Sequence, residues 1–314
     1  LGPALLFCPA DRPERFATAV ARADAVILDL EDAVAPGAKA AARGALIDAH
    51  LDPARVIVRV NALGTTDFDV DMATLSQTDF RRIMVPKAES AKKIVRIDTR
   101  FEVIALCETA RGVVAADKLA AAPNVVGLMW GAEDLVASLG GTGSRKKGGG
   151  YRDVARYARA RVLMAAGAEG IAAIDAVHLD IADERGLRRE AADAAASGFQ
   201  ASACIHPAQV ETIRAAYRPD AQAVTWSQFV EFVDDGGYDR QELWHPDGWT
   251  WLQGKAEAEG RRGPRYVEQI GVASGAVMQT RFGKTRRMLG NQTAMHMSWW
   301  EADAWCRWAG RRLP

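Results

Sequence analysis

The chain has 314 residues, with 40 basic and 40 acidic side chains, 49% apolar residues and four cysteines. This length allows one large domain or two ordinary ones. The balanced charge gives no general attraction to nucleic acid or to an anionic membrane, so we expect neither partner. No apolar run reaches the length of a membrane helix, and we see no secretion signal. The scattered cysteines suggest neither a disulfide framework nor a zinc site, which favours a cytoplasmic location.

Residues 1–220 alternate between short apolar runs and alanine-rich stretches with helical spacing. The apolar runs predict strands at Ala4–Pro9, Ala25–Leu30, Arg55–Val60, Arg82–Pro86, Phe101–Leu106, Val125–Trp130, Ala173–Leu179 and Ser202–Ile205. The intervening stretches predict helices at Arg12–Ala23, Lys39–Ala49, Val113–Ala122, Tyr151–Ala166, Glu184–Ser197 and Ala208–Tyr217. This α/β pattern indicates a parallel sheet covered on both faces. Eight strands fit a closed (β/α)8 TIM barrel, and a doubly wound open sheet is the competing topology.

The pattern changes after about residue 220. Eight of the nine tryptophans lie in residues 221–314, and only Trp130 precedes them. This segment has short helical pieces at Ser227–Asp235 and Ser298–Ala309, and no alternation of strands and helices. We therefore predict two domains, 1–220 and 221–314, with a junction near 219–223.

Polar side chains follow the apolar runs at the C-terminal ends of seven predicted strands. They are Asp29, Glu31, Asp32, Arg59, Asn61, Lys87, Glu89, Glu108, Glu133, Asp134, Asp180 and His206. One charged residue after a strand is expected wherever a strand meets solvent. Seven of eight strands with this feature favour an active site, because the C-terminal strand ends of a TIM barrel share one face.

Glu108 and Asp134 are the best candidates for a metal site, since each follows one of two neighbouring strands. Carboxylates without nearby His or Cys suit a hard cation such as Mg²⁺. Arg59 is suited to hold a carboxylate through two hydrogen bonds. It also lies within reach of Glu31 or Asp32 on the adjacent strand, and the two roles are compatible.

Two other features carry weaker signals. His206, in the segment CIHP, fits a structural turn residue better than a catalytic base. The glycine-rich loop 140–150 contains Arg145, Lys146 and Lys147, but its spacing matches no phosphate-binding fingerprint.

Eight ordered motifs in residues 1–220 resemble the citrate lyase β-subunit-like branch of the HpcH/HpaI aldolase/citrate lyase family. They are LFCPADRPERF (6–16), VILDLEDAV (26–34), VRVNA (58–62), VPKAES (85–90), ETARG (108–112), GAEDL (131–135), HLDIADERGL (178–187) and CIHPAQV (204–210). The resemblance implies a TIM barrel, usually a homotrimer. It also implies an Mg²⁺-dependent lyase or thioesterase that makes or breaks a C–C bond in a short 3-hydroxyacyl-CoA, such as malyl-CoA or citramalyl-CoA.

The resemblance also assigns roles to individual residues. The family's Glu of ETARG and Asp of GAEDL bind the metal, and its Arg of VRVN binds the substrate carboxylate, which correspond to Glu108, Asp134 and Arg59. Ala132 and Glu133 are expected to contact the α-oxo acid together with Arg59 and Glu108. Glu31, Asp32 and Lys87 are expected to support these groups from behind.

The family's C-terminal lid, which in several members supplies an acidic catalytic residue to a neighbouring subunit, has no counterpart after AYRPD (216–220). The general acid/base is therefore unassigned. Two alternatives stay open: a class II pyruvate-type aldolase acting on free hydroxy-oxo acids, and an inactive barrel in a fusion protein.

The tail resembles a formylglycine-generating-enzyme-type domain, and most closely its ergothioneine/selenoneine synthase branch. The matching segments are VTWSQFVEFVDDGGY (224–238), LWHPDGWTWLQ (243–253) and MHMSWWEADAWCRWAGRRLP (295–314). Only the N-terminal part of that α+β domain is recognisable, and the iron-binding histidines of those synthases belong to a separate helical domain. We expect core or surface roles for His245, His296 and Cys306, and no catalysis by the tail alone.

Overall fold

The computed structural model describes residues 2–218, 224–259, 263–264, 266–270, 277–281, 284–295 and 297–311. The chain divides between Tyr217 and Arg218 into two compact units, each described here by itself. The expected junction at 219–223 and His296 lie outside the described residues.

The first unit is built on a closed barrel of eight parallel strands, in which each strand pairs with the next and the eighth pairs with the first. The strands are β1 Ala4–Pro9, β2 Ala25–Asp29, β3 Val56–Arg59, β4 Arg82–Val85, β5 Glu102–Cys107, β6 Val125–Trp130, β7 Ala172–Asp175 and β8 Ala201–Cys204. The predicted TIM barrel is confirmed, and the open doubly wound sheet is wrong.

Helices surround the barrel and connect its strands. They are α1 Phe16–Arg22, α2 Lys39–Ile47, α3 Thr66–Leu75, α4 Ala91–Ile94, α5 Ala110–Val114, α6 Ala116–Ala120, α7 Ala132–Ser138, α8 Asp153–Glu169, α9 Glu184–Ser197 and α10 Val210–Tyr217. The single helix predicted at 113–122 is divided into α5 and α6, which meet at Ala115. Helices α3, α4 and α7 were not predicted from the sequence.

Helix α3 was missed because acidic residues interrupt its apolar spacing. Its N-cap residue Thr65 accepts a hydrogen bond from the amide of Phe68, which starts the helix. Asp71 is fully buried, where it accepts hydrogen bonds from Arg43 Nε and from the backbone and side-chain amides of Asn61. The carboxylate thus braces the end of β3 instead of facing solvent.

Alternation along the strands divides the barrel's apolar residues into two cores. Side chains such as Leu6, Val26 and Val58 point outward and pack with the helices. Their neighbours Leu5, Ile27 and Ile57 point inward and fill the barrel, as successive strand residues must face opposite sides. Both faces are therefore apolar, which explains the near-continuous apolar runs in the sequence.

Strand β7 ends at Asp175, four residues before the end of the predicted strand at Leu179. Val177 and Leu179 made the run look longer, but they line a cavity beyond the strand end. Their apolar character reflects that position and not strand pairing.

The second unit contains helices and a small antiparallel sheet with strand order β11-β10-β9. Its elements are α11 Trp226–Asp234, α12 Pro246–Glu259, β9 Val267–Gln269, β10 Val277–Arg281, β11 Lys284–Met288 and α13 Trp299–Trp308. The α+β character expected for the tail is confirmed. Helices α11 and α13 were predicted from the sequence, whereas α12 and the three strands were not.

Aromatic side chains form the core of the second unit. Trp226, Phe229 and Phe232 of α11 are fully buried, and Trp305 packs in the same cluster. The Tyr238 hydroxyl donates to buried Glu301 at 2.7 Å. The tryptophan-rich composition therefore reflects core packing to a large extent, although Trp299 remains 59% exposed. Across the described residues of both units, no helix is long and apolar enough to cross a membrane.

Candidate active site

A cavity of about 270 Å³ opens at the C-terminal ends of the barrel strands. Five residues predicted to bind metal or substrate line it: Arg59, Glu108, Ala132, Glu133 and Asp134. Asp29 and Asp32 also line it, and its apolar wall includes Phe7, Leu106, Met129, Val177 and Leu179. The cavity is therefore acidic on one side, with Arg59 beside the carboxylates, and apolar on the other.

A larger and more open groove of about 580 Å³ lies against α1 and α2. Its lining is mostly alanine and other apolar residues, with Asp48 and His50 at its edge. It brings together no opposed charges comparable to those at the strand ends. The smaller cavity is the better candidate for chemistry, because convergent polar groups in a concave apolar site mark functional pockets.

Glu108 directly follows β5 and is 2% exposed. Its Oε1 accepts a hydrogen bond from the backbone N–H of Lys87 at 3.0 Å. Burial raises the pKa of Glu108 to about 8, and the nearby charges of Asp134 and Glu31 add to this shift. Glu108 is therefore desolvated, and the hydrogen bond from Lys87 and the charge of Arg59 do not offset the cost of ionising it.

Asp134 lies in the first turn of α7, and not directly at the end of a strand as predicted. Glycine at position 131 separates β6 from this helix, and α7 carries Ala132, Glu133 and Asp134 together at its start. The backbone N–H groups of a helical first turn have no partner within the helix, so they are available as donors. The GAED segment thus brings both carboxylates and amide donors to the cavity.

Arg59 ends β3 and is paired chiefly with Asp29, a pairing that the sequence analysis missed. Its Nε and Nη2 donate to the two oxygens of Asp29 at 2.7 and 2.5 Å, and Asp29 is 1% exposed. Burial alone would lower the pKa of Arg59, but Asp29 and Glu31 raise it overall. A guanidinium has five N–H donors, so this pair fixes its orientation and leaves donors for a ligand.

Glu31 and Lys87 lie next to the cavity but are not part of its lining. Lys87 Nζ donates to Glu31 Oε1, and the other oxygen of Glu31 lies 3.1 Å from Arg59 Nη1 without hydrogen-bond geometry. Asp32, which is largely exposed, lies 3.8 Å from both cations. The three residues expected to support the site therefore contact one another around Arg59.

Glu133 is tied to the glycine-rich loop, because its carboxylate accepts a hydrogen bond from the hydroxyl of Ser144. The next loop residue, Arg145, pairs with Glu190 and lies over the ring of Tyr151 at 4.1 Å. Glu190 also contacts His178 Nδ1 at 2.8 Å. The loop is thus anchored by side chains.

Trp130 lines the cavity and contacts an ion pair that was not predicted from the sequence. Its indole N–H donates to Asp175 at 2.6 Å, and Asp175 pairs with Arg159 at 3.0 and 2.8 Å. Asp175 fell inside the strand predicted at Ala173–Leu179, so no sequence pattern indicated that it contacts Trp130 and Arg159. The ion pair of Asp175 and Arg159 thus fixes the indole ring of Trp130, the residue before Gly131.

The remaining strand-end residues lie outside the cavity. His206 caps the turn Pro207–Gln209 by accepting from the amide of Ala208, which is the structural role expected for it. Asp180 is exposed and accepts from the amide of Ala182. Asn61 bonds Asp71, and Glu89 accepts from the hydroxyl of Thr109 at 2.8 Å.

In the part of the chain that the structure describes, no group of three or more His, Cys, Asp or Glu side chains is placed to hold a metal. A site with only Glu108 and Asp134 as protein ligands needs other oxygen donors. That is the usual situation for Mg²⁺, which keeps several waters and binds through one or two carboxylates plus substrate oxygens.

Two family models match the chain. The HpcH/HpaI aldolase/citrate lyase model matches residues 4–207, and the sulfatase-modifying factor enzyme 1-like domain model matches residues 184–314. Both resemblances inferred from the sequence are confirmed. The two matches overlap at 184–207, where α9 and β8 belong to the barrel.

Three curated relatives align with the barrel region. A citrate lyase subunit beta-like protein of Mycobacterium tuberculosis is 56% identical over 229 residues, covering 73% of this chain and 84% of the relative. The mitochondrial citramalyl-CoA lyase of Homo sapiens is 30% identical, covering 65% and 67%. A (3S)-malyl-CoA thioesterase of Cereibacter sphaeroides is 34% identical, covering 63% and 70%.

Solved structures of the M. tuberculosis protein CitE are similar as well. The complex with magnesium and acetoacetate is 57% identical, has a TM-score of 0.69, and covers 70% of this chain and 91% of that one. The complex with magnesium, acetoacetate and coenzyme A is 43% identical with a TM-score of 0.69, covering 99% and 98%.

Proposed function

We propose that this chain, which belongs to the HpcH/HpaI aldolase/citrate lyase family, is a magnesium-dependent carbon–carbon lyase. Its substrate is a short 3-hydroxyacyl-CoA such as malyl-CoA or citramalyl-CoA, and its products are an α-oxo acid and acetyl-CoA or a similar acyl-CoA. The observation that carries the proposal is the placement of Glu108, Asp134 and Arg59 around one cavity. The names of the relatives and the ligands in the CitE structures support it.

The acidic side of the cavity fits a magnesium ion. Glu108 and Asp134 offer hard oxygen donors, and the charge of Asp134 helps to raise the pKa of Glu108. A divalent cation removes that repulsion and favours both ionised carboxylates. When bound, magnesium supplies a Lewis acid that polarises the oxo group and stabilises the negative charge formed on its oxygen.

The protein side chains position the substrate around that ion. Arg59, held by Asp29, binds the carboxylate of the α-oxo acid portion through its remaining N–H donors. The first-turn amides of α7, at Ala132 to Asp134, donate to oxygens of the same group. The apolar wall, which includes Met129 and Val177, limits the access of water to the reacting atoms.

In the cleavage direction, the substrate hydroxyl loses its proton as the bond between its carbon and the acyl-CoA α-carbon breaks. The electron pair passes to the α-carbon, giving an enolate that takes up a proton to become the acyl-CoA. The carbon that carried the hydroxyl becomes the oxo group of the released acid. We assign neither of these proton transfers to a particular residue.

The full chain and residues 1–220 should be assayed with malyl-, citramalyl- and 3-hydroxy-3-methylglutaryl-CoA, with Mg²⁺ and with EDTA. Formation of an acyl-CoA and an oxo acid only with Mg²⁺ is the expected result. Cleavage of free hydroxy-oxo acids instead would favour the pyruvate-type aldolase. Binding of Mg²⁺ and oxo acid without turnover of any substrate would favour an inactive barrel.

Thioester hydrolysis is a second candidate, favoured by the similarity to the malyl-CoA thioesterase. The two reactions give different products: hydrolysis releases free coenzyme A and an intact hydroxy acid, whereas cleavage releases an acyl-CoA. A thiol reagent separates them in the same assay. A homotrimer in the cytoplasm is part of the proposal, and light scattering of the purified chain together with cell fractionation tests these two points.

A further inference from the structure

Lys87 has a backbone conformation that its side chain disfavours. It follows β4 with φ at 48°, in the left-handed region, and among the described residues other than glycine only Tyr266 also has a positive φ. The Cβ atom makes this region costly for any residue except glycine, and lysine has no short polar group to compensate. Such strain persists where the surroundings enforce it, and it is concentrated at functional sites.

The strained turn delivers its amide to a residue of the active site. The backbone N–H of Lys87 donates to Glu108 Oε1 at 3.0 Å. The turn is held against β5, because the amide of Ala88 donates to the carbonyl of Leu106 at 3.1 Å. Gly112 also packs on it so closely that a Cβ there would lie 2.6 Å from the carbonyl oxygen of Ala88. The backbone therefore has little room to relax.

The side chain of Lys87 contacts a different residue, Glu31. Its ammonium donates to Glu31 Oε1, while the second oxygen of Glu31 lies 3.1 Å from Arg59 Nη1. Glu31 is 7% exposed, so its charge is poorly screened by solvent. Without the ammonium, Arg59 would be the close cationic partner of this carboxylate, in competition with an incoming ligand.

We propose that Lys87 is a positioning residue with two separable tasks. Its left-handed backbone holds Glu108 in the orientation that binds the metal, and its ammonium holds Glu31 so that Arg59 stays available to the substrate carboxylate. The inference rests on the proposed function, since it requires a metal and an anionic ligand in this cavity.

Removal of the ammonium alone should weaken the binding of pyruvate without weakening that of Mg²⁺. Lys87→Met deletes a positive charge close to Glu108, so Mg²⁺ should bind equally well or about two- to fivefold more tightly. The same change frees Glu31 to engage Arg59, so pyruvate, used as the probe, should bind about tenfold more weakly at saturating Mg²⁺. A general structural defect would weaken both.

The ammonium is tested by calorimetric titration of the full chain with Mg²⁺ alone, and then with pyruvate at saturating Mg²⁺. Lys87→Arg should restore pyruvate binding, and Glu31→Gln should greatly reduce the effect of Lys87→Met in the double variant. Any result in which Lys87→Met leaves pyruvate binding unchanged, or weakens Mg²⁺ binding as well, overturns this half of the proposal.

The backbone is tested with uncharged side chains that differ in their tolerance of a positive φ. Lys87→Gly should bind Mg²⁺ like Lys87→Met and melt roughly 2–4 °C higher, because glycine relieves the strain. Lys87→Val, whose branched Cβ resists this conformation, should bind Mg²⁺ about tenfold more weakly than Lys87→Met. Equal Mg²⁺ affinity of the Val and Met variants overturns the backbone half.

The wild-type titration separates this proposal from the proposed function. If the wild-type chain binds neither Mg²⁺ nor pyruvate, the assignment of the site is wrong. If the wild type binds both and the Lys87 variants behave like it, the site is right and the role of Lys87 is wrong.

Discussion

Gly131 lies against Glu108 so closely that a Cβ atom at position 131 would be 2.8 Å from Glu108 Cβ and 3.0 Å from its Oε2. Gly131 is also the N-cap of α7, the helix that carries Asp134. The absence of a side chain therefore lets the two predicted metal ligands approach each other across neighbouring strands. This contact places the glycine of GAEDL beside the glutamate of ETARG.

Replacement of Gly131 should damage the site more than the fold. In Gly131→Ala the methyl group has to displace the carboxylate of Glu108, so Mg²⁺ affinity should fall at least about tenfold, with about 1–3 kcal/mol of stability lost to overpacking. Titration calorimetry and thermal unfolding measure the two effects. The matched control is Gly44→Ala in α2, where nothing lies within 4 Å of the added Cβ. Unchanged Mg²⁺ binding in Gly131→Ala would contradict the assignment of Glu108 as a ligand.

The pair Arg59–Asp29 should link stability to substrate binding. Arg59→Met leaves the buried carboxylate of Asp29 without its cation, and breaking such a pair costs about 3–5 kcal/mol. The value should lie near the lower limit, because Asp29 still accepts from the amides of Glu31 and Ala33. The barrel's transition in thermal or urea unfolding measures the loss of stability.

The double variant Asp29→Asn with Arg59→Met separates the two roles of Arg59. It should regain much of the lost stability, because no unpaired charge stays buried, but it should still fail to bind pyruvate. A double variant as unstable as Arg59→Met alone would show that Asp29 is not the source of the cost. Normal pyruvate binding by either variant would remove Arg59 from the site.

The Glu190 cluster should make the barrel sensitive to acid. Burial would raise the pKa of Glu190, but hydrogen bonds from Arg145 and His178 hold it below its ordinary value of 4.5. A carboxyl group with a lowered folded pKa adds stability above its unfolded pKa, and this contribution is lost as pH falls through the folded pKa. The stabilisation should therefore be complete near neutral pH and disappear below about 4.5.

Melting temperatures of the wild type and Glu190→Gln between pH 3.5 and 7 test this expectation. The variant should be less stable near neutral pH, and the two curves should converge in acid. Glu211→Gln is a suitable control, because Glu211 is exposed on α10 and pairs only locally with Arg214. A constant difference between wild type and Glu190→Gln at every pH would show that the ionisation of Glu190 does not stabilise the fold.

The barrel should fold without the tail. The first compact unit ends at Tyr217, and its described apolar residues form cores of their own. A fragment of residues 1–217 should therefore give a cooperative thermal transition and bind Mg²⁺ like the full chain. Aggregation of that fragment, or loss of its helical circular dichroism, would contradict the prediction of two independent domains.

The barrel could be read from the sequence because its strands are apolar on both faces and end at polar residues. Val125–Trp130 followed by the GAED segment shows the pattern clearly, and the strand has these bounds in the structure. The prediction of helices and strands was wrong where the tertiary structure, and not the local element, explains the character of a side chain. Asp71 is polar yet buried, so its helix was missed, and Val177 is apolar because it lines the cavity, so β7 was extended too far.

The residues of the candidate site could be predicted from the sequence, but the hydrogen bonds and ion pairs between them could not. Strand topology alone brings Arg59, Glu108 and Asp134 to one face. The bond from Arg59 to Asp29 spans 30 positions, and that from Lys87 to Glu108 spans 21. Such contacts, and the left-handed backbone at Lys87, depend on the packing of neighbouring strands and have no local sequence signal.

Calorimetric titration with Mg²⁺, followed by pyruvate at saturating Mg²⁺, tests the central claim that Glu108 and Asp134 hold a cation beside an oxo acid. We predict that the wild type binds both, that Glu108→Gln and Asp134→Asn each weaken Mg²⁺ binding by about 100-fold, and that pyruvate binding is lost with it. Asp180→Asn, at an exposed acid outside the cavity, should match the wild type. Equal binding of Mg²⁺ and pyruvate by the wild type and the Glu108 and Asp134 variants would contradict the account.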